Sequence, residues 1–455
     1  MAKPRRHLKH WPEQDEHSVS RCSHRNTPEE PVFTGLAIEF ASLKGKLYFS
    51  GFVDETGHLY ELSSHATVPK LIDLDEAPET FPLFLTEFKG NLFFYAATAE
   101  AGGELFRISP GDTKPTVFDI FPGPDSSSPQ LFAQANGKFY ITANGDGTGG
   151  LYQISHGNST PILFLEGFHP TALVGVKKDL FSSAFGAQTG FELYRLSPHD
   201  EVPTLIDINQ GRESSHPGEL TEFDGQLYFR AVTEAAGYEL YHIAPGSNTP
   251  TLVDINQGVA DSFPEQFIVS HGDLYFDAFT EENGRELYRV SRGGDTPTLI
   301  DTNEGPESSD PIALTEFKGD LYFTAHTEET GYELFRVSRG SDTATLIDIN
   351  PGVADSFPLN FTEVKGKLYF TAGTEEAGRE LYRLSPGSTH PTLIDLVPGE
   401  DSFSNISLLT EFKGDLFFNA QGPETGEHGL YRFSPGTGTL TLIDLNQAVE
   451  SHVSC

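Results

Sequence analysis

LTEFKGDLYFTAHTEETGYELFRVSRGSDTATLIDINPG, residues 314–352, is the clearest of nine copies of one pattern. It divides into four short runs: Ala313 to Phe317, Asp320 to Ala325, Tyr332 to Val337 and Ala344 to Ile349. Each is rich in aromatic and β-branched residues and is bounded by turn residues, as strands are. Lys318-Gly319, Glu329-Thr330-Gly331 and Arg339-Gly340-Ser341 are the connections, short enough for tight hairpins. A four-stranded antiparallel meander follows, and residues 350–358 are long enough to carry the chain to the next one.

The rest of the chain repeats this unit. The apolar residue that opens the second run falls at Leu47, Leu92, Phe139, Leu180, Leu227, Leu274, Leu321, Leu368 and Leu416. The gaps are 45, 47, 41, 47, 47, 47, 47 and 48 residues, a period typical of propeller blades. Pairs such as Tyr322-Phe323, Tyr369-Phe370 and Phe417-Phe418 put apolar groups on both faces of that run, which requires a neighbour on each side. The expected fold is all-β, a β-propeller of about nine four-stranded antiparallel blades. Eight or ten blades, or an open superhelix, are the alternatives, since residues 131–190 hold the most divergent copies. Complete units run from Leu36 to Leu445, so closure through a shared strand is not expected. The domain reading is a basic, polar N-terminal tail at 1–34, disordered or docked, one propeller at 35–450, and a C-terminal tail at 451–455.

The formal charge is −36. Residues 1–30 carry six Lys or Arg against five Asp or Glu, a net of +1, so the remainder carries −37. Such a surface repels nucleic acid and anionic lipid and attracts cations and basic partners. No run reaches the ~18 apolar residues of a membrane span, and the basic N-terminus has no apolar segment behind it. The two cysteines, Cys22 and Cys455, lie at opposite ends of the chain, where a disulfide would clasp the ring; two free thiols are the alternative.

Six arginines are followed twelve residues later by an aspartate: Arg107 and Asp119, Arg195 and Asp207, Arg289 and Asp301, Arg336 and Asp348, Arg383 and Asp395, Arg432 and Asp444. The third copy loses both, with Gln153 and Leu165. Joint loss suggests a structural ion pair across the hairpin of the third and fourth strands.

The succession Gly-x-Glu-Leu-[Tyr/Phe], a turn, Thr-Leu-Ile-Asp-Ile-Asn-Pro-Gly and Leu-Tyr-Phe-Thr-Ala resembles the bacterial ELWxxDGT-repeat (hyalin-like) family over residues 36–445. Smaller aromatics, as in Glu333-Leu334-Phe335 and Glu380-Leu381-Tyr382, replace that family's tryptophan. The resemblance implies a propeller from an extracellular or surface protein of a bacterium. It brings no catalytic residues with it.

The turn between second and third strands and the long connection should emerge on one face. Glu281, Glu282, Glu328, Glu329, Glu375 and Glu376 on the first, with Asp261, Asp355 and Asp401 on the second, would ring that face with carboxylates. Clustered oxygens suit calcium, and the charge suits a basic or glycan partner. Solubilising charge is the plainer alternative. The first hairpin turns should give the opposite face its lysines. No Gly-x-Ser-x-Gly, His-Glu-x-x-His or phosphate-loop motif occurs. A catalytic site would be asymmetric, so His169, Lys177, Lys178 and Asp179 in the divergent copies are the candidates for one. The functional expectation is a non-catalytic binding propeller presenting acidic loops to a cation, glycan or protein partner. The alternatives are a propeller enzyme, such as a metal-assisted lactonase, hydrolase or lyase acting at the channel mouth, and a multivalent lectin.

Overall fold

A computed structural model describes residues 35–453 except 54–55, 75–80, 113, 146–148, 156–159, 395, 397–404 and 422–427. The two cysteines and the N-terminal tail lie outside the described residues. In the quoted copy the strands are Ile312–Phe317, Asp320–Thr327, Gly331–Val337 and Ala344–Ile347. Lys318 and Gly319 take φ values of 51° and 100°, the left-handed pair of a two-residue hairpin. The glutamate before the turn holds it, since Glu316 Oε1 accepts the Gly319 N–H at 2.9 Å. Glu87, Glu222 and Glu411 do the same for Gly90, Gly225 and Gly414.

Nine such sheets form, each with its four strands in chain order, including the two divergent copies. The first strand of every blade touches the first strands of its neighbours, and Leu36–Leu43 of blade one touches Ser407–Phe412 of blade nine. The first strands are therefore the inner ring, and the ring is closed. Seven of them carry a bulge with a non-glycine residue in the left-handed region: Phe84, Leu131, Glu219, Gln266, Ala313, Asn360 and Leu408.

Strand alternation supplies the glue between blades. From the second strand of blade seven, Leu321, Phe323 and Ala325 join a core shared with Tyr275 and Leu287 of blade six. Tyr322 points the other way, into a core with Leu368, Phe370 and Tyr382 of blade eight. The nine residues that anchor the period are all buried. A sheet with one wet face would have no use for this second row of aromatics.

Blades nine and one meet through side chains and a helix. Asn419 bridges the seam, accepting the Ala37 N–H at 3.0 Å and donating to the Ala37 carbonyl at 2.7 Å. Phe417, Leu430 and Ile443 pack with Ala37, Phe49 and Tyr60. A helix, Leu445–Val453, follows the last strand. Asp444 starts it, its Oδ1 accepting the Gln447 N–H at 2.9 Å as an N-cap. Leu445 is buried against Gly35 and Gly51, where a Cβ would approach within 2.7 and 3.2 Å of it. No helix is long and apolar enough to cross a membrane among the described residues.

Candidate functional site

Strand direction sorts the loops into two faces. The first and third turns of each blade leave one face, and the second turn with the long connection leaves the other. On the second face, Glu281, Glu282, Glu328, Glu329, Glu375 and Glu376 are all exposed, as the alternation of turns requires. Asp401 lies outside the described residues. Asp261 and Asp355 are committed elsewhere: their Oδ1 atoms accept the backbone N–H of Tyr238 at 2.7 Å and of Tyr332 at 2.8 Å. In other blades a serine hydroxyl does this work, Ser214 for Phe191 and Ser308 for Arg285. These are local turn closures. No group of three His, Cys, Asp or Glu side chains converges among the described residues.

The carboxylates that organise this face lie beneath it. The glutamate of Gly-x-Glu-Leu is buried at Glu104, Glu192, Glu239, Glu286, Glu333 and Glu380. Glu286 accepts from Thr302 N at 2.9 Å, Ser309 N at 2.8 Å and Ser309 Oγ at 2.6 Å. Glu333 accepts from Ile349 N at 2.8 Å and Ser356 Oγ at 2.7 Å, and Glu239 from Ile255 N and Ser262 Oγ, each at 2.8 Å. Glu104 and Glu192 repeat the arrangement with Ser127 and Ser215. Where the fourth strand ends, the chain turns away and leaves N–H groups without a ladder partner; one carboxylate serves all of them. It thereby fastens the long connection to its own blade and fixes where the acidic loops stand.

Burial pushes the carboxyls of Glu104, Glu192, Glu239, Glu286 and Glu333 up, to about 7 for Glu239 and Glu286, despite the bonds that favour the ionised form. A proton can be accommodated because the serine hydroxyl can reverse. Ser262 Oγ lies 3.2 Å from the Tyr238 carbonyl and Ser356 Oγ 3.4 Å from that of Tyr332, so each can accept from a protonated glutamate and donate onward. A raised carboxyl pKa in the folded chain contributes stability that is complete below the ordinary glutamate value and is lost as pH rises through about 7. The melting temperature should therefore be higher at pH 5.5 than at pH 8. Melts across that range check it; a midpoint that climbs with pH would contradict the assignment.

The twelve-residue pairs are corrected by the register. Arg336 faces Thr345, Arg289 faces Thr298 and Arg195 faces Thr204, which leaves each aspartate three residues beyond, about 10 Å along the strand. Arg107 likewise faces Thr116, short of Asp119, and Arg432 faces Thr441, short of the capping residue Asp444. Arg383 faces Thr392, and Asp395 is outside the described residues. Asp207, Asp301 and Asp348 instead sit near Glu192, Glu286 and Glu333, whose carboxyls they help to raise. The arginines reach sideways. Arg195 Nη1 donates to Ser247 O at 3.0 Å, Arg289 Nη1 to Ser341 O at 3.2 Å and Arg432 Nη1 to Ala66 O at 3.1 Å, each on the following blade, with blade one following blade nine. Arg289 also pairs with Asp342 and Asp273, and Arg336 with Asp320.

The candidates in blades three and four are separated. His169 precedes the first strand of blade four, Pro170–Val176, and Lys177, Lys178 and Asp179 follow it, so they lie on opposite faces some 20 Å apart. One polar interior centres on Asp277 of blade six, which is buried and raised by burial, pairs with Arg285 and accepts from Gln266 Nε2 at 3.2 Å; blade eight repeats the arrangement, with Thr371 accepting from Arg379 at 3.0 Å and from Asn360 Nδ2 at 3.2 Å. Threonine stands there in blades seven and eight and arginine in blade five, so an acidic residue at this position was the visible sign.

No protein-family model and no curated protein matches the chain. Solved structures share its shape weakly. A tricorn protease is 11% identical over 90% of this chain and 43% of its own, with a TM-score of 0.37. A prolyl endopeptidase is 10% identical over 87% and 55%, with a TM-score of 0.47. The GH74 enzyme of Niastella koreensis is 12% identical over 88% and 76%, with a TM-score of 0.33. The chain spans about half the length of the first two. These values carry no argument about chemistry.

Proposed function

We propose that this propeller is a non-catalytic binding scaffold whose acidic face engages a basic protein surface. The observation that carries this reading is the division of its carboxylates. Those repeated within the blades bind backbone N–H groups, whereas Glu281, Glu282, Glu328, Glu329, Glu375 and Glu376 stand free in solvent on one face. Paired carboxylates on successive turns, on a chain of net charge −36, favour a partner that brings its own cations over one that needs a preformed pocket. A bacterial surface protein, as the repeat's resemblance implies, would meet such partners outside the cell.

Polylysine is a direct probe. The protein should bind it with an affinity that falls at least tenfold between 50 and 300 mM salt, roughly as expected when several exposed pairs are screened. The combined E281Q/E282Q/E328Q/E329Q variant should bind about tenfold more weakly. Equal binding by that variant would remove the acidic face from the interaction. Heat from calcium alone, with defined stoichiometry, would replace the basic partner with an ion.

A further inference from the structure

On the lysine face, blades four and five enclose a cavity of about 410 Å³. Its lining is largely apolar: Val176, Phe181, Leu227, Ile243 and Pro245 contribute, and Lys177, Lys178 and Asp179 close it from blade four. Pockets of this size with an apolar lining and few polar groups are those in which small ligands are held.

Asp179 is 8% exposed, and its buried Oδ1 has no hydrogen-bond partner. The repeat explains the vacancy. In blades six and seven the same position is Asp273 and Asp320, and each accepts the backbone N–H of the residue nineteen positions on, Arg292 at 3.1 Å and Arg339 at 3.2 Å. Nineteen positions after Asp179 stands Pro198, which has no N–H to give. The arginine of this blade makes no hydrogen bond to that oxygen, for Arg195 donates its Nη1 to Ser247 on blade five. The acceptor has been kept and its internal donor removed, at the wall of an apolar cavity. A buried carboxylate oxygen without a donor is costly, and a ligand that supplies one removes that cost.

The lysines define the rest of the ligand. Lys177 bends over Gly225, where a Cβ would lie 2.4 Å from its Nζ, so its ammonium borders both this cavity and an adjoining one of about 510 Å³. We propose that the cavity binds a small amphipathic molecule with an apolar body, an ammonium or N–H group for Asp179 and a carboxylate for Lys177, the chemistry of an apolar dipeptide. The site faces away from the acidic loops, so it stands or falls separately from binding of a basic partner.

Calorimetric titration of the full chain with the dipeptide Leu-Leu tests this. One site per chain is expected, with at least tenfold weaker binding for N-acetylated Leu-Leu and for Asp179→Asn. Ala244→Trp, at an exposed position on the cavity wall, should abolish binding by filling the space. Asp179→Asn should melt no lower than the parent chain, whereas a structural role for the carboxylate would lower the midpoint. Absence of heat at millimolar dipeptide, or unchanged affinity in Asp179→Asn, would overturn the proposal.

Discussion

Glu286→Ala should destabilise the protein by about 3 kcal/mol or more, although the residue lies beneath a loop. The substitution strands the Ser309 N–H and hydroxyl in a buried place and the Thr302 N–H in a part-buried one. Each such group carries a penalty of about 1–3 kcal/mol when buried without a partner. Glu286→Gln, which keeps one acceptor oxygen and adds an amide N–H₂ among donors, should fall between alanine and the parent chain. Glu282→Ala, four positions earlier on an exposed turn, should change stability by less than about 0.5 kcal/mol. Urea unfolding of the three variants at pH 7.5 decides the matter, and equal midpoints for E286A and E282A would show that the carboxylate does not hold the loop. Hydrogen exchange at residues 301–310 should accelerate in E286A before the rest of blade six opens.

The second large effect is expected at the seam. Leu445→Ala removes a fully buried side chain from the junction of helix, blade one and blade nine, a change that typically costs about 2–5 kcal/mol. Asn419→Ala leaves both the N–H and the carbonyl of Ala37 without their partner. Either variant should lower the melting temperature, and the double variant should expand the particle in small-angle scattering as the ring opens. Scattering that superimposes on the parent curve, with an unchanged melt, would mean that closure rests on other contacts.

The period, the turn chemistry and the two-faced aromatic strand were readable because each is a local requirement repeated nine times. Other features were hidden for particular reasons. The twelve-residue Arg and Asp pattern is real, yet its members serve separate tasks, one clasping the next blade and the other lying near a buried glutamate. The fastening glutamate reads as an ordinary polar strand residue. Its signal was a serine twenty-three positions later, present after Glu104, Glu192, Glu239, Glu286 and Glu333 and absent from the third copy, which has Gly150 and Leu173. The final helix escaped because Asp444 occupies a repeat position and so passed for the end of a strand. The vacant oxygen of Asp179 becomes visible only when Pro198 is set against Arg292 and Arg339 in register.

The seam also governs how the chain reaches its native state. Hairpins, fastened loops and the blade-to-blade clasps away from the seam join residues no more than about two units apart, so they can form as soon as the neighbouring segments exist. The Asn419 bridge to Ala37 spans 382 positions and has no local precursor. Topology thus makes most of the folding fast and modular, and leaves one slow, entropically expensive encounter for the end. Until that encounter the first and last blades each present a bare apolar sheet. During synthesis the interval between the emergence of blade two and of Leu445 is when the chain is most exposed to aggregation.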